Sequence, residues 1–256
     1  MSSSHAEAAA PRVAVVTGAS AGIGAATVNA LVDAGFRVVA GARRVDRLAA
    51  VCAPYGDAVE ARALDVTDPA SVVAFADARP DAVHVVVNNA GFARGLDTAL
   101  GVGDDAWRAM YDTNVIGVVR VTRALLDRLL ASGDGLIVNV GSIAGFETYP
   151  GGGGYTASKH ALRALTRTLR LELLGAPVRI TEIAPGMVET DFSVVRFDGD
   201  RDRADAVYRG MTPLTAHDIA ACIRWVADLP PHVNIDELVV RPRDQATATR
   251  VHRQGD

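Results

Sequence analysis

Short apolar runs alternate with segments of helical periodicity along most of the chain. The apolar runs, several of them rich in valine, are typical of strands that are covered on both faces. They predict strands at 13–17, 37–41, 59–64, 83–87, 136–140, 178–183 and 238–240. The segments between them have apolar residues three or four apart. They predict helices at 22–34, 44–52, 104–130, 155–174 and 215–229, and one starting near 68. This alternation predicts an α/β protein with one doubly wound parallel sheet of about seven strands and helices on both faces.

Length and composition fit a single folded unit of this kind. The chain has 256 residues, of which 49% are hydrophobic, so it can bury one large core. We expect one domain over residues 11–243, with a disordered tail at 1–10 and a C-terminal tail at 244–256. Residues 187–214 follow the sixth strand and largely break the alternation. Because ligands bind at the carboxyl ends of strands in such sheets, this segment is predicted to be a substrate loop.

Charge and cysteine content exclude several classes of protein. The chain has 26 basic and 30 acidic residues and a net charge of −4, with no basic block that would suit a nucleic acid. No apolar run approaches the length of a membrane span, and residues 1–10 lack the features of a signal peptide. Cys52 and Cys222 are isolated from each other, which favours a reducing compartment. We therefore expect a cytoplasmic protein that binds no nucleic acid, membrane or metal.

A glycine-rich turn lies between the first predicted strand and the first predicted helix. Its glycines let the chain turn sharply and let a phosphate approach the backbone, while the helix start supplies free N–H groups. An ordinary tight turn is the alternative, but the position between a strand and a helix favours a dinucleotide pyrophosphate. The predicted contacts in this turn are Gly18, Ser20, Ala21, Gly22, Ile23 and Gly24.

The second predicted strand is followed by two arginines instead of an acidic residue. An acidic side chain there would bind the ribose 2′-hydroxyl, whereas Arg43 and Arg44 suit a 2′-phosphate by charge and by their forked donors. We therefore predict NADP(H) as the cofactor; the alternative is that both arginines are simply solvated. Asp65 and Val66, after the third strand, are predicted to meet the adenine, although Asp65 could equally be a turn carboxylate.

Tyr155 and Lys159 are four residues apart at the start of a predicted helix, so their side chains share one face. A free phenol has a pKa of about 10, and a nearby ammonium favours the phenolate, which could exchange a proton with an alcohol or carbonyl. Of the 26 basic residues, Lys159 is the single lysine and the rest are arginine. This composition favours a specific role for an ammonium over the alternative of a core tyrosine beside a surface lysine.

Two further polar residues are candidates for the same chemistry. Ser142 ends the fifth strand, and its hydroxyl could hold the reacting oxygen, although a strand-end serine is unremarkable alone. Asn114 lies inside a predicted helix, where asparagine is a mediocre helix former. A water-holding role beside Lys159 would explain it; a helix-bending asparagine satisfied by the backbone is the alternative.

Together these motifs resemble the classical short-chain dehydrogenase/reductase family. The resemblance covers about residues 11–243 and implies a Rossmann-type fold. It implies that Tyr155 is the general acid/base, that Lys159 binds the nicotinamide ribose, that Ser142 holds the substrate oxygen, and that Asn114 supports a water. It further implies cofactor contacts at Asn88, Asn89 and Ala90 on the adenosine side, and at Pro185, Gly186, Val188 and Thr190 beside the nicotinamide.

The last third of the chain is similar to one branch, the NADP-dependent 3-hydroxy acid dehydrogenases acting on serine and allo-threonine. The matching segments are 190–193, 195–200, 232–235 and 251–254. The resemblance implies hydride transfer to or from a small 3-hydroxy acid, and a homotetramer, or a homodimer, built through the helices that begin near 104 and 155. A flexible glycine run at 151–154 departs from the pattern and is expected to reshape the pocket wall.

The substrate and its ligands stay open at this point. Arg196 and Arg94 are candidates for binding a substrate carboxylate, and both could equally be solvated. The main alternative function is a reductase of bulkier neutral ketones or aldehydes, with a pocket lined by Phe92, Tyr149, Met187 and Phe192. A non-catalytic NADP(H) sensor on the same fold is a third reading, disfavoured because both Tyr155 and Lys159 are present.

Overall fold

A computed structural model describes residues 11–77 and 82–255 of the protein. Its strands are β1 (Val13–Thr17), β2 (Arg37–Ala42), β3 (Val59–Ala63), β4 (Val85–Asn88), β5 (Gly135–Val140), β6 (Val178–Pro185), β7 (Val188–Glu189), β8 (Leu214–Thr215) and β9 (Glu237–Val240). Seven of them form a sheet in the order β3-β2-β1-β4-β5-β6-β9, and every pair in it is parallel. The predicted doubly wound α/β fold is therefore confirmed.

Helices cover both faces of this sheet. They are α1 (Gly22–Asp33), α2 (Val45–Cys52), α3 (Pro69–Asp77), α4 (Asp104–Tyr111), α5 (Gly117–Ala131), α6 (Gly153–Glu172), α7 (Asp191–Arg196), α8 (Arg201–Ala206) and α9 (Ala216–Ala227). Strand β1 shows why its sequence is uniformly apolar. Ala14 and Val16 pack on the face covered by α1 and α9, whereas Val13 and Val15 pack on the face covered by α3 and α5.

The helix predicted at 104–130 is interrupted. Between α4 and α5 the chain forms one π-helical turn, Asp112–Ile116, which is wider than an α-helical turn. Asn114 lies inside this turn and bonds through its side chain to the backbone of Phe92. Because Phe92 is distant in sequence, periodicity alone could not predict the interruption.

The predicted substrate loop contains more regular structure than its sequence suggested. Helices α7 and α8 are each one to two turns long, and side chains cap their starts, Thr190 for α7 and Asp200 for α8. Strands β7 and β8 pair with each other at the base of this segment. Helices this short carry no periodicity that a sequence reading could detect.

The C-terminal segment packs on the end of β6. Gln245 is only 5% exposed, and its Oε1 accepts a hydrogen bond of 2.8 Å from the Met187 N–H. Further along, Arg253 donates to the carbonyl oxygen of Val207, after α8. The tail predicted at 1–10 lies outside the described residues. No helix in the described part of the chain has the length and apolarity required to cross a membrane.

Candidate active site

A cavity of about 690 Å³ opens at the carboxyl edge of the sheet, beyond the ends of β1, β2, β4, β5 and β6. Most of the predicted site residues line it, although they come from separate parts of the chain. These residues are Gly18, Ser20, Ala21, Gly22, Ile23, Arg43, Arg44, Asp65, Val66, Asn89, Ala90, Ser142, Tyr155, Lys159, Pro185, Gly186, Val188 and Thr190. Three predicted residues, Gly24, Asn88 and Asn114, do not line it.

The glycine-rich turn forms one end of the cavity. Gly18 and Gly22 have positive φ angles of 65° and 54°, a backbone conformation that glycine adopts without strain. Helix α1 begins directly after the turn, and no side chain caps its first N–H groups at Ala21. These donors and the positive end of the helix dipole suit an anion such as a pyrophosphate.

Gly24 is closely packed and does not line the cavity. A Cβ atom added at this position would overlap the carbonyl oxygen of Gly18 and lie 2.6 Å from Nδ2 of Asn89. The missing side chain therefore lets helix α1 lie tightly against the turn. The predicted contact of Gly24 with the cofactor stays a prediction.

Arg43 and Arg44 lie at the adenosine end of the cavity, at the end of β2. Both are exposed, and Arg44 donates a 3.2 Å hydrogen bond to the Ser20 hydroxyl. Neither has an ion pair to a carboxylate among residues 11–77 and 82–255. Their charge is therefore available to a phosphate group, as NADP(H) would require.

Asp65 is held in a turn. Its Oδ1 accepts hydrogen bonds from the N–H and the hydroxyl of Thr67, at 2.9 and 2.7 Å. Burial favours a higher pKa for Asp65, but these bonds and the charges of Arg43 and Arg120 outweigh it and lower the pKa. Asp65 is therefore a turn carboxylate that also lines the cavity.

Asn88 lies under the cavity floor and not in its wall. Its Nδ2 donates to Thr122 and to Asn139, at 3.1 and 2.9 Å, and the residue is 3% exposed. Asn89, by contrast, donates to the carbonyl oxygen of Thr17 and lines the cavity. Asn88 thus joins β4 to β5 and α5, and its predicted cofactor contact stays a prediction.

Asn114 is fully buried and its side chain is committed to protein groups. Its Nδ2 donates to the Phe92 carbonyl and to Ser158, both at 3.0 Å, and its Oδ1 accepts from the Phe92 N–H. These contacts match the alternative of an asparagine satisfied by backbone. Both Nδ2 hydrogens are used in these contacts, and the water predicted beside Lys159 stays a prediction.

Tyr155, Ser142 and Lys159 meet in the middle of the cavity. Ser142 precedes a 3-10 turn, where its Oγ accepts a 3.1 Å hydrogen bond from the Ala144 N–H. Lys159 is 6% exposed, and its Nζ donates to the Val140 carbonyl oxygen at 2.8 Å. The same Nζ lies 5.9 Å from the centre of the Tyr155 ring. The predicted helical spacing therefore brings the phenol and the ammonium together.

Burial shifts both groups toward their neutral forms. It lowers the pKa of Lys159 to about 8, against a smaller opposing effect of Glu182. Burial and Tyr149 raise the pKa of Tyr155 above its ordinary value, while the Ser142 hydroxyl and Arg196 act in the opposite direction. In the protein without cofactor, burial thus exceeds the opposing effects of Ser142 and Arg196, and the lowered phenol pKa predicted with an oxidised nicotinamide present stays a prediction.

Arg196 lies beside Tyr155 at the far end of the cavity. Its Nε donates to the Gly95 carbonyl at 3.0 Å, and Nη1 donates to the Tyr149 hydroxyl at 3.2 Å. Its Nη2 is buried and has no hydrogen-bond partner in the described residues. The guanidinium carbon is 6.0 Å from the centre of the Tyr155 ring. Arg94, the other candidate, faces solvent and pairs with Asp198 at 3.6 Å.

Aromatic and apolar side chains complete the wall around Tyr155. They include the four named for the alternative function, Phe92, Tyr149, Met187 and Phe192. Phe192 packs edge-on against Tyr155 with 5.6 Å between ring centres. The glycine run at 151–154 is closely packed: a Cβ on Gly152 would overlap the Tyr149 ring, and one on Gly154 would overlap Met110. It shapes this wall by close approach, and α6 begins within it.

Several cavity residues were not identified from the sequence. They lie in the loop after α8 and in the C-terminal segment, and they are Tyr208, Gln245, Ala248, Thr249 and Arg253. Their segments are polar and lack periodicity, so only the long-range fold brings them to the site. The described residues include no group of three or more His, Cys, Asp or Glu side chains that could bind a metal ion.

Comparison with known proteins gives consistent relatives over nearly the whole chain. A family model described as short chain dehydrogenase matches residues 12–200. An uncharacterized oxidoreductase of Mycobacterium tuberculosis is 61% identical, covering 93% of this chain and 94% of that protein. Sulfoacetaldehyde reductase of Chromohalobacter salexigens is 44% identical, with 90% and 94% covered. The solved closed form of serine dehydrogenase complexed with NADP+ is 38% identical with a TM-score of 0.90, and the match covers 94% of this chain and 100% of that one.

Proposed function

We propose that this chain, which belongs to the short-chain dehydrogenase family, is an NADP(H)-dependent oxidoreductase of small 3-hydroxy acids or their carbonyl forms. The predicted resemblance to that family and to its 3-hydroxy acid branch is confirmed. One observation carries the proposal: a single cavity contains Tyr155, Ser142 and Lys159 together with Arg196, which has an unused donor. Proton-transfer groups and a cation for an acidic substrate thus share one site.

The cofactor would lie along the cavity from the adenosine end to Tyr155. The turn from Gly18 to Gly22 and the start of α1 would hold the pyrophosphate, and Arg43 and Arg44 the 2′-phosphate. Pro185, Gly186, Val188 and Thr190 would lie beside the nicotinamide. When bound, the nicotinamide supplies or accepts the hydride, and its oxidised form adds a positive charge near Tyr155. The glycines at the turn support this fit, since side chains there would block a close approach.

Tyr155 would act as the general acid and base. In alcohol oxidation the phenolate oxygen takes the hydroxyl proton, and in carbonyl reduction the phenol returns a proton to the same oxygen. Ser142, also at the cavity wall, would donate a hydrogen bond to that oxygen as negative charge develops. Arg196 opposes the effect of burial on the phenol pKa, and the Lys159 ammonium would add positive charge 5.9 Å from the centre of the ring.

The substrate class follows from the position of Arg196. In serine, one carbon separates the carboxylate from the carbon that bears the hydroxyl. In sulfoacetaldehyde, one carbon likewise separates the sulfonate from the aldehyde. These are the substrates in the names of two relatives. A guanidinium 6.0 Å from the Tyr155 ring could bind such an acid group while Tyr155 meets the reacting oxygen.

A second candidate is the reduction of a bulkier neutral ketone or aldehyde. The observation in its favour is the apolar wall formed by Phe92, Tyr149, Met187 and Phe192. The same catalytic groups would serve it. The unused donor of Arg196 counts against it, because a neutral ligand would leave a buried charge without a counter-ion.

The experiment is a set of initial rates with NADP+ and NADPH. The substrates are L-serine, L-allo-threonine, 3-hydroxypropionate, malonic semialdehyde, sulfoacetaldehyde and a neutral secondary alcohol. We expect turnover of the acidic compounds. Arg196→Gln should raise their KM by about 10-fold or more, because a charge-assisted hydrogen bond contributes about 1.5–3 kcal/mol. Arg94→Gln is the matched control, since this arginine is exposed and paired with Asp198.

The possible outcomes separate the hypotheses. Turnover of the neutral alcohol alone would move the substrate class to the second candidate. Unchanged KM values in Arg196→Gln would remove Arg196 as the ligand of the acid group. Binding of NADPH without any turnover would favour the sensor interpretation.

Assembly as a homotetramer or homodimer remains a prediction from the family resemblance. On helix α4 and the turn after it, Trp107, Tyr111 and Ile116 line a shallow surface groove, and Tyr111 is 45% exposed. Helices α4 and α6 pack side by side in the monomer. This is where the predicted subunit contacts would lie.

A further inference from the structure

A cluster of charged side chains extends away from the candidate site between helix α6 and the sheet. Lys159, Arg163 and Arg167 follow each other at four-residue spacing, so they lie on one face of α6. Glu182 on β6 and Glu237 on β9 are direct cross-strand neighbours beneath that face. Arg163 and Arg167 pair with Glu237 at 2.7 and 3.6 Å. Neither of these ion pairs includes Glu182, the second carboxylate.

Glu182 is the most deeply buried carboxylate in this cluster. It is 2% exposed, and its Oε1 has no hydrogen-bond partner in the described residues. A Cβ on Gly141 would overlap this oxygen, and a Cβ on Gly145 would lie 3.6 Å from it and 3.1 Å from the backbone oxygen of Lys159. Two glycines thus leave room for the Glu182 carboxylate next to residue 141 and near the backbone of Lys159.

The charges that face Glu182 come from α6 and β9. They are Lys159, Arg163 and Arg167 on the helix and Glu237 on the strand, whereas Asn139, its register partner on β5, is neutral. Burial and Glu237 raise the pKa of Glu182 to about 7, and the three cations oppose that rise. Reciprocally, Glu182 is the carboxylate that opposes the lowering of the Lys159 pKa. The two groups therefore favour each other's charged form.

We infer that Glu182 is a positioning residue that acts through Lys159, holding it as the ammonium that bonds to Val140 and supports Tyr155. A buried unpaired carboxylate costs free energy, and a merely structural role would be served as well by an uncharged side chain. The catalytic meaning of this inference rests on the proposed function. The charge state of Lys159 does not, and it can be measured in the protein without cofactor.

The test uses the fact that Lys159 is the only lysine in the sequence. Labelling with carbon-13 lysine gives one side-chain NMR signal, whose chemical shift reports the titration of Lys159 directly. We expect a midpoint of about 8 in the unchanged protein. Glu182→Gln should move the midpoint down by about one pH unit, since it removes the carboxylate that opposes the lowering of the Lys159 pKa. Glu237→Gln is the matched control and should leave the midpoint in place.

Glu182→Asp serves as the conservative variant. Its carboxylate is drawn back by one carbon, so the Lys159 midpoint should fall less than in Glu182→Gln. If the glutamine variant does not fold, Glu182→Ala takes its place, and a Lys159 midpoint unchanged from the parent protein in this uncharged variant would overturn the inference.

Kinetics provide a second readout. In Glu182→Gln, the loss of kcat/KM at alkaline pH should begin at lower pH than in the unchanged enzyme, because Lys159 releases its proton earlier. If the unchanged enzyme shows no turnover, the proposed function fails while the NMR titration still decides the role of Glu182. If it does turn over, an unaltered Lys159 midpoint and an unaltered pH profile in Glu182→Gln would reject the role of Glu182 alone.

Discussion

Tyr155 and Lys159 have opposite charges when ionised, yet burial disfavours ionisation of both. It raises the pKa of the phenol and lowers that of the ammonium to about 8. The neutral phenol is the form that donates a proton to a carbonyl. Under the proposed function, alcohol oxidation needs the phenolate, which the positive charges of Lys159, Arg196 and an oxidised nicotinamide would favour. Direction of reaction and pH are therefore coupled at this residue.

The cofactor preference can be tested at a single residue. Replacing Arg43 with Asp removes a cation and adds an anion where a 2′-phosphate would bind, so the ratio of kcat/KM for NADP+ over NAD+ should fall by about 100-fold or more. Arg37→Asp, at the opposite end of the same strand, is the control and should leave the ratio unchanged. An unaltered ratio in Arg43→Asp would contradict the assignment of the phosphate site.

At the scale of elements, the parallel sheet explains why distant motifs meet. Strands β1, β2, β4, β5 and β6 all end at one edge, and each is followed by residues that line the cavity. The turn between β1 and α1 depends on close packing at Gly24, where there is no room for a side chain. The geometry of the phosphate end is thus fixed by backbone contacts.

Gly24→Ala tests this packing. Alanine is the better helix former by about 0.5–1 kcal/mol, but overpacking against backbone costs about 1–3 kcal/mol, so the variant should be less stable. The measurement is the free energy of unfolding from urea denaturation. Gly103→Ala is the matched change, since a Cβ there meets nothing within 4 Å. Equal stability of the two variants would show that the turn can relax.

The elements that could be predicted from the sequence are those whose cause is local. The valine-rich strands and amphipathic helices carry their own pattern, and Tyr155 and Lys159 share a helix face by spacing alone. The π-helical turn at Asn114 depends on Phe92, and the role of Gln245 depends on Met187, 58 residues away in the chain. From the sequence alone, Glu182 cannot be distinguished from an ordinary polar residue of a strand, because its buried neighbours come from other elements. Contacts of this kind require the folded chain.

For the whole molecule, the distribution of charge matters more than its sum. The net charge is −4, although the cofactor is an anion and each proposed substrate carries a negatively charged acid group. The cavity gathers Arg43, Arg44, Lys159, Arg196 and Arg253. A cationic cleft in an acidic protein can attract anionic ligands while the remaining surface keeps the protein from binding polyanions generally.

The pH dependence of folding stability should reveal the raised pKa of Glu182. The pKa of this group is raised from 4.5 to about 7, so the folded protein keeps a proton that the unfolded chain releases. The stability that this group contributes is therefore fully present below its pKa in the unfolded chain. It is lost as the pH rises through its pKa in the folded protein. Between about pH 5 and about pH 6.5, the free energy of unfolding should fall by about 2 kcal/mol more in the unchanged protein than in Glu182→Gln.

Urea denaturation at the two pH values measures this difference. Glu172→Gln, at the exposed end of α6, is the control and should keep the pH dependence of the unchanged protein. Parallel stability curves for the unchanged protein and Glu182→Gln would mean that Glu182 is ionised throughout this range.

The position of the single lysine has a consequence for handling the protein in the laboratory. Lys159 is 6% exposed inside the cavity, so the only side-chain amine of the chain is one that bulky conjugation reagents and solid supports reach poorly. Amine-directed coupling should then attach through the amino terminus and leave the site intact. A small electrophile, by contrast, can also enter the cavity and acylate Lys159, which would block the site.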